Sequence, residues 1–378
     1  MSIRERYGLE RLINATGYPT IVGANVCAPE VIEAVAEALA MNVEIDELQR
    51  RACGVIARTT GAEAGCVTSS CSSAIAITVA AAMTGAEFGR ILQLPDTTGM
   101  ADEVILQKAH DVNFGGEIGQ MVRLTGARVT EIGTGNHCDV YHLTAALGAR
   151  TAAILYVVTG VVNQEAHLLG LEQCVGRGVP VIVDAAAEPD VRPFVRAGAD
   201  LVIASGHKVL GAPTSGLICG RKDLVRACYL QNWGIGRAMK VGKEGIVGLM
   251  AALEAWEKRD PERERQRLAE LGDCLQRGLA GVSGVQVVRG GALHRVEVLV
   301  HEMSAQAVAN VLREGGIWVR DALGGTMILD LQRLSPDEAG VVADRIREAV
   351  EKKLRPKEDV PYHDLYRSTG RLQSWPEL

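Results

Sequence analysis

The chain has 378 residues, 47% of them hydrophobic and 23% charged, with a formal net charge of −6. That is the composition of an ordinary globular protein with enough apolar residues to fill two domains. The acidic balance argues against a nucleic-acid or anionic-membrane surface, and 4% aromatic content argues against stacking platforms for single strands. Nine cysteines occur without a CxxC pair, which points to reduced thiols rather than a disulfide framework. No stretch reads as a signal peptide or as a clean apolar span, so the expected location is the cytoplasm, with no membrane partner.

In chain order, residues 4–9 are polar and suggest a short helix or arm, followed by turn formers at 14–20. Pro29 opens an alanine-rich helix, and Ile45, Leu48, Ala52, Val55 and Ile56 keep helical spacing through 45–58. Ser69, Ser70, Cys71, Ser72 and Ser73 then lead into an apolar helix over 74–83. One serine there is an ordinary N-cap, but several small hydroxyl residues at a buried helix start suit a dianionic phosphate. His110 and Asn113 follow the strand at 103–106, and either side chain suits a flat ring. Residues 129–132 and 152–158 read as strands, and 168–177 as a crossover helix. His137 and His142 are five apart, which is neither i,i+3 nor i,i+4, so no metal site is expected.

Two further apolar runs, 179–184 and 201–205, have the look of strands buried on both faces of a parallel sheet. The first ends in Asp184, and just past the second lies Lys208, within Ser205-Gly206-His207-Lys208. In α/β sheets ligands bind at the carboxyl ends of strands. A partly desolvated lysine there is an amine nucleophile for a carbonyl, and a carboxylate beside it suits a protonated pyridine nitrogen. Together they point to pyridoxal 5'-phosphate (PLP). A dinucleotide or P-loop site has little support, because Gly234 and Gly236 lack the third glycine and no GxxxxGK[ST] occurs.

The rest alternates helices and strands: a helix over 246–259, a charged boundary at 260–265 and a helix over 265–279. Strands at 285–288, 294–300, 317–320 and 326–329 follow, with helices over 305–314 and 337–354 and a polar tail over 355–378 expected to lie on a partner subunit. The expected domains are 1–243, a large cofactor domain with its N-terminal arm, and 244–378, a linking helix, a smaller α/β domain and the tail.

These stretches resemble the fold-type I PLP enzymes, and within them the selenocysteine-synthase-like branch that includes the D-glucosaminate-6-phosphate ammonia-lyases. The resemblance is carried by Ile13-Asn14-Ala15-Thr16-Gly17, Thr68-Ser69-Ser70-Cys71-Ser72-Ser73, Glu131-Ile132-Gly133-Thr134-Gly135-Asn136, Val183-Asp184-Ala185-Ala186-Ala187, Ser205-Gly206-His207-Lys208 and Gly236-Arg237-Ala238-Met239-Lys240-Val241-Gly242-Lys243-Glu244. It runs from about residue 11 to about residue 350. One departure is the Ser70-Cys71-Ser72-Ser73 turn, where such enzymes carry a Gly-Ala-Ala-like phosphate cup.

The resemblance implies the aspartate aminotransferase-like fold, with a mainly parallel large-domain sheet and a smaller C-terminal α/β domain. It implies that Lys208 joins the PLP aldehyde, that Asp184 pairs the pyridinium and that His110 stacks on the ring. Cofactor contacts are implied at Ser70, Cys71, Ser72, Ser205 and His207. Arg320 is implied to take the substrate carboxylate, with Arg237 and Lys240 on an anionic substrate or the phosphate across a dimer interface. The expected activity is an α,β-eliminating lyase acting on a small amino acid or amino-sugar acid to give a 2-oxo acid. The alternatives are a racemase, an aldolase, a sulfur or selenium transferase, or a non-catalytic PLP-binding protein. A homodimer or higher homo-oligomer is expected, with a small-molecule substrate and no nucleic acid.

Overall fold

The computed structural model describes residues 2–160, 165–322 and 325–361; the rest of the expected tail, 362–378, lies outside the described residues. By compactness the chain forms two units, one from Cys27–Lys258 and one from the described parts of Met1–Val26 and Arg259–Leu378. The expected boundary at 243/244 falls at the start of the helix Lys243–Lys258. That helix buries Ile246, Leu249, Ala252 and Leu253 in the core of the first unit and packs on the helices Pro29–Leu39 and Ile45–Thr60. Its apolar face, not the glycines before it, decides where it belongs.

Strand β1 (Ile13–Ala15) joins the second unit. The first unit holds β2 (Ala64–Thr68), β3 (Glu103–Gln107), β4 (Arg128–Ile132), β5 (Thr151–Val157), β6 (Val181–Asp184), β7 (Leu201–Ser205) and β8 (Gly216–Gly220). They form one sheet in the order β2-β8-β7-β6-β5-β3-β4. β8 runs antiparallel to both neighbours and every other pair is parallel. Alternate residues feed two apolar clusters, Val181, Val183 and Val202 on one face and Ile182, Leu201 and Ile203 on the other. Each such fully buried side chain contributes about 1.5–3 kcal/mol. Because both faces are covered, polar groups collect at the strand ends. The carboxyl ends of β3, β5, β6 and β7 share one edge.

β8 has no counterpart among the sequence expectations, because glycine, proline and serine in 211–216 read as loop rather than strand. The expected helix over 168–177 is corrected to four residues, Leu171–Cys174. Gly170, Gly176 and Gly178 bracket it, and the last two hold positive φ.

In the second unit β9 (Val285–Arg289), β10 (Arg295–Val300), β11 (Ile317–Ala322) and β12 (Thr326–Asp330) join β1 in the order β1-β11-β12-β10-β9. Only the β1–β11 pair is parallel. β10 alternates buried Val296, Val298 and Val300 with more accessible residues, the pattern of a sheet with one covered face. Leu268, Leu271 and Leu275 of the helix Pro261–Leu279 join that core. The charged run at 260–265 is the first turn of this helix, with the Asp260 carboxylate accepting from the Glu262 and Arg263 N–H groups. No helix among the described residues is long and apolar enough to cross a membrane.

Candidate active site

At the end of β6, Asp184 is 3% exposed. Burial raises its pKa, opposed by a hydrogen bond from the Cys71 thiol, the charge of Lys208 and the Ala186 N–H. Cys71 Sγ donates to Oδ1 at 3.4 Å and Ala186 N donates to the same oxygen at 3.1 Å. Oδ2 receives neither bond. A desolvated carboxylate with one weak thiol donor calls for a cationic partner.

The helix Cys71–Thr84 begins at the same edge. Ser70 Oγ accepts from Ser73 N at 3.0 Å, and Ser70 N donates to Ser73 Oγ at 2.9 Å, a reciprocal capping box. Thr68 Oγ1 also donates to the Ser70 carbonyl. A Cβ at Gly216 would lie 2.3 Å from both that carbonyl oxygen and Thr68 Oγ1, so only glycine lets β8 approach the turn. The cap leaves the Cys71 and Ser72 N–H groups as first-turn donors without helical acceptors. Ser72 is exposed and Cys71 is buried.

Lys208 lies in the turn after β7, half-buried, with Nζ 5.4 Å from the centroid of the Phe114 ring. Its charge acts on both Asp184 and Cys71, which places the three groups in one electrostatic cluster. Before it, buried Ser205 holds Oγ 3.2 Å from His207 Nδ1. Burial and the Lys208 charge lower the His207 pKa. At the end of β3, His110 is buried, and its pKa is lowered to about 4 by burial. Its Nδ1 accepts the Val157 N–H at 3.2 Å, which fixes the neutral tautomer with the proton on Nε2. Tyr156 meets the imidazole edge to face at a centroid distance of 4.9 Å.

The structure thus gathers Asp184, Lys208, Cys71, Ser70, Ser72, Ser205, His207 and His110 at one sheet edge. It does not bring Arg237 or Lys240 into contact with this group; both are exposed, Arg237 on the short helix Ile235–Met239 and Lys240 just after it. Arg320 lies on β11 of the other unit, where its charge acts on Asp330. Asn113 forms an isolated bridge with Glu117 instead of meeting a site group. Phe114 and Tyr156 escaped the sequence expectations. The signal available for Phe114 was that it is one of three phenylalanines in the chain and lies four residues after His110. His137 and His167 each place Nε2 about 3 Å from a carboxylate oxygen of Asp139, while His142 Nδ1 accepts the Asp139 N–H.

The chain is similar to proteins of known activity. A family model described as SelA, L-seryl-tRNA selenium transferase, matches residues 182–280. D-glucosaminate-6-phosphate ammonia lyase of Salmonella typhimurium is 38% identical over 93% of this chain and 98% of that protein. The 5'-C-glycyluridine monooxygenase-decarboxylase of a Streptomyces species is 36% identical over 91% of each chain. An L-seryl-tRNA(Sec) selenium transferase of Nitratidesulfovibrio vulgaris is 29% identical over 92% of this chain and 83% of its own. Among solved structures, a D-glucosaminate-6-phosphate ammonia-lyase superposes with a TM-score of 0.84 at 37% identity, over 93% of this chain and 99% of that one. The serine palmitoyltransferase of Sphingomonas wittichii, at 16% identity and a TM-score of 0.58 over 90% of this chain and 87% of its own, shares the fold alone.

Proposed function

We propose that this chain, which belongs to the selenocysteine-synthase-like family of fold-type I PLP enzymes, removes ammonia from a small 2-amino-3-hydroxy acid or amino-sugar acid to leave a 2-oxo acid. The lyase reading is supported by the 38% identity to an ammonia lyase over nearly the whole of both chains and by the TM-score of 0.84 to a solved one. The observation that carries the assignment of roles is the pair on neighbouring strand ends, buried Asp184 after β6 and Lys208 after β7. Asp184 fits a pyridinium nitrogen, because its carboxylate is desolvated and its two hydrogen bonds crowd onto one oxygen. The first turn of Cys71–Thr84, with Ser72 and the nearby Ser205–His207 pair, fits the phosphate.

When bound, PLP supplies an electron sink for negative charge at the substrate's α-carbon. Lys208 Nζ would hold the cofactor and would give up its place to the substrate amine. The freed Nζ then takes the α-proton and can deliver it to the departing β-hydroxyl. In balance, a 2-amino-3-hydroxy acid becomes a 3-deoxy-2-oxo acid and ammonia, with the water lost in elimination regained in hydrolysis. Burial lowers the His110 pKa to about 4, so at neutral pH its ring offers a face and an Nε2–H rather than a charge. Arg320 takes the substrate carboxylate as a bidentate partner, and Arg237 and Lys240 take an anionic group from a second copy of the chain.

Self-association is supported by exposed Leu39, Met41, Ile45, Phe88, Leu92 and Trp233 in the first unit. Lys243 Nζ ties to the Leu39 and Met41 carbonyls, Tyr229 bonds Asp46, and the Tyr229 and Trp233 rings meet at 5.8 Å, which strings most of these residues along one side. The nine free thiols support a cytoplasmic location, and the acidic net charge supports a small-molecule substrate over tRNA.

The test is to load the protein with PLP, fix it with borohydride and find the cofactor by mass spectrometry on the Lys208 peptide, with Lys208→Ala as control. 2-Amino-3-hydroxy acids and amino-sugar acids are then screened for stoichiometric ammonia and 2-oxo acid. Label elsewhere, or none, removes the role of Lys208; racemised substrate or an aldehyde product replaces the lyase with a racemase or an aldolase. A second reading rests on the 36% identity to the monooxygenase-decarboxylase. Turnover that needs oxygen and releases carbon dioxide would favour it.

A further inference from the structure

The Cys71 side chain is tied to a carboxylate on a different element. It begins the helix Cys71–Thr84, is buried, and points its thiol at Asp184 Oδ1. Its backbone is held from both sides. The Ser70–Ser73 capping box fixes the turn, and the Thr68 hydroxyl and the close pass of Gly216 fix the Ser70 carbonyl. Burial and the neighbouring carboxylate raise the thiol's pKa well above the ordinary range, so it remains a protonated donor and a poor nucleophile. The second bond to Oδ1 comes from the Ala186 N–H, two residues along the same strand end. Two donors from different elements on one oxygen fix the rotation of a carboxylate and leave the other oxygen for a third partner.

We propose that Cys71 is a positioning residue, whose thiol orients Asp184 so that Oδ2 is presented to the ring nitrogen of PLP. The proposal rests on the assignment of PLP to this site. What the task requires at this position is a donor to Oδ1, which a thiol or a hydroxyl can supply. Ordinary core packing predicts something else, namely that shape alone matters at this position.

The test compares Cys71→Ser, which keeps a donor, with Cys71→Val, which keeps approximate bulk without one, and with Cys71→Ala. PLP is titrated into each cofactor-free protein and followed by the visible circular dichroism of the bound cofactor. This gives a dissociation constant and a signal per bound molecule, and the latter reports ring orientation. Cys71→Ser should stay within about 3-fold of the wild type, whereas Val and Ala should weaken binding roughly 5- to 20-fold, as expected for a lost hydrogen bond to a charged group. Both should also lower the signal per cofactor bound. Wild-type behaviour in Cys71→Val, or a Ser variant as impaired as Ala, overturns the proposal and leaves packing. Should Cys71→Val fail to fold, as judged by its melting curve, Ala against Ser decides alone. Failure of the wild type itself to give a visible band with PLP removes the cofactor assignment, a different result from four proteins that bind alike.

Discussion

Asp184 and Asp330 occupy matching places in the two units, each closing a strand, and burial raises the pKa of both. Their surroundings differ. Around Asp330 lie the charges of His294, Arg320 and Arg333, together with the Gln332 N–H. Arg333 also stacks 4.6 Å over Tyr18, and Tyr18 bonds Gln332. Asp184 has instead a thiol, one backbone N–H and the charge of Lys208, an amine that the proposed chemistry withdraws by joining it to the cofactor. A half-buried carboxylate flanked by guanidinium groups, such as Asp330, draws its cations from its own fold, although burial still raises its pKa. One held by weak donors, at the edge where parallel strands end, is left to be matched by a ligand.

The contrast is broken most directly by Asp184→Asn, which keeps the shape and deletes the charge. Turnover of the PLP-loaded enzyme should fall roughly 10²- to 10³-fold, in line with losing one preorganised electrostatic partner. The same substitution should raise the melting temperature of the cofactor-free protein. The sign follows from the raised pKa: the stabilising contribution of the neutral acid is present below the unfolded-state pKa and is lost as pH rises through the higher folded value. Charged Asp184 therefore costs stability at neutral pH, and asparagine avoids that cost. A lower melting temperature would mean that the carboxylate is already matched without ligand.

A second, smaller effect concerns His110, whose pKa is lowered to about 4 from the ordinary 6.5 by burial. Here the unfolded chain binds the extra proton, so stability is full above about pH 6.5 and declines as pH falls toward 4. Between pH 7 and pH 5 this loss should reach about 2 kcal/mol by urea denaturation, and His110→Gln should lose correspondingly less. Equal losses in both proteins would show that the imidazole is solvated.

Arg320→Ala should raise KM about 10-fold and leave kcat within a few-fold, as for a lost charge-assisted contact to a substrate carboxylate. Asp330→Asn should have the smallest effect, roughly 3-fold on KM, because it loosens Arg320 without removing it. A loss in kcat as large as that of Asp184→Asn would erase the distinction between the two carboxylates.

Much of this organisation is legible along the chain. Runs such as Val181-Ile182-Val183 and Leu201-Val202-Ile203 state their own burial, because a strand covered on both faces has no polar positions to spare. Asp184, Lys208 and the serine turn stand out as polar groups ending apolar runs. The capping serines and Asp260 announce their helices by local hydrogen bonding alone. Other features depend on which distant segments meet. β1 is too short and turn-rich to read as a strand until β11 pairs with it, and β8 hides between Gly216, required by the close approach of the Ser70 carbonyl, and Gly220, required by that of the Asp200 carbonyl. Cys71 reads as a small helix-start residue, and only the folding of β6 against that helix reveals its bond to Asp184. The sequence by itself determined the period and polarity of each element and hence which residues end strands. The tertiary structure decided which of those ends are neighbours, and so which carboxylate is matched by arginines and which by a thiol, because desolvation and hydrogen bonding depend on contacts between residues far apart in the chain.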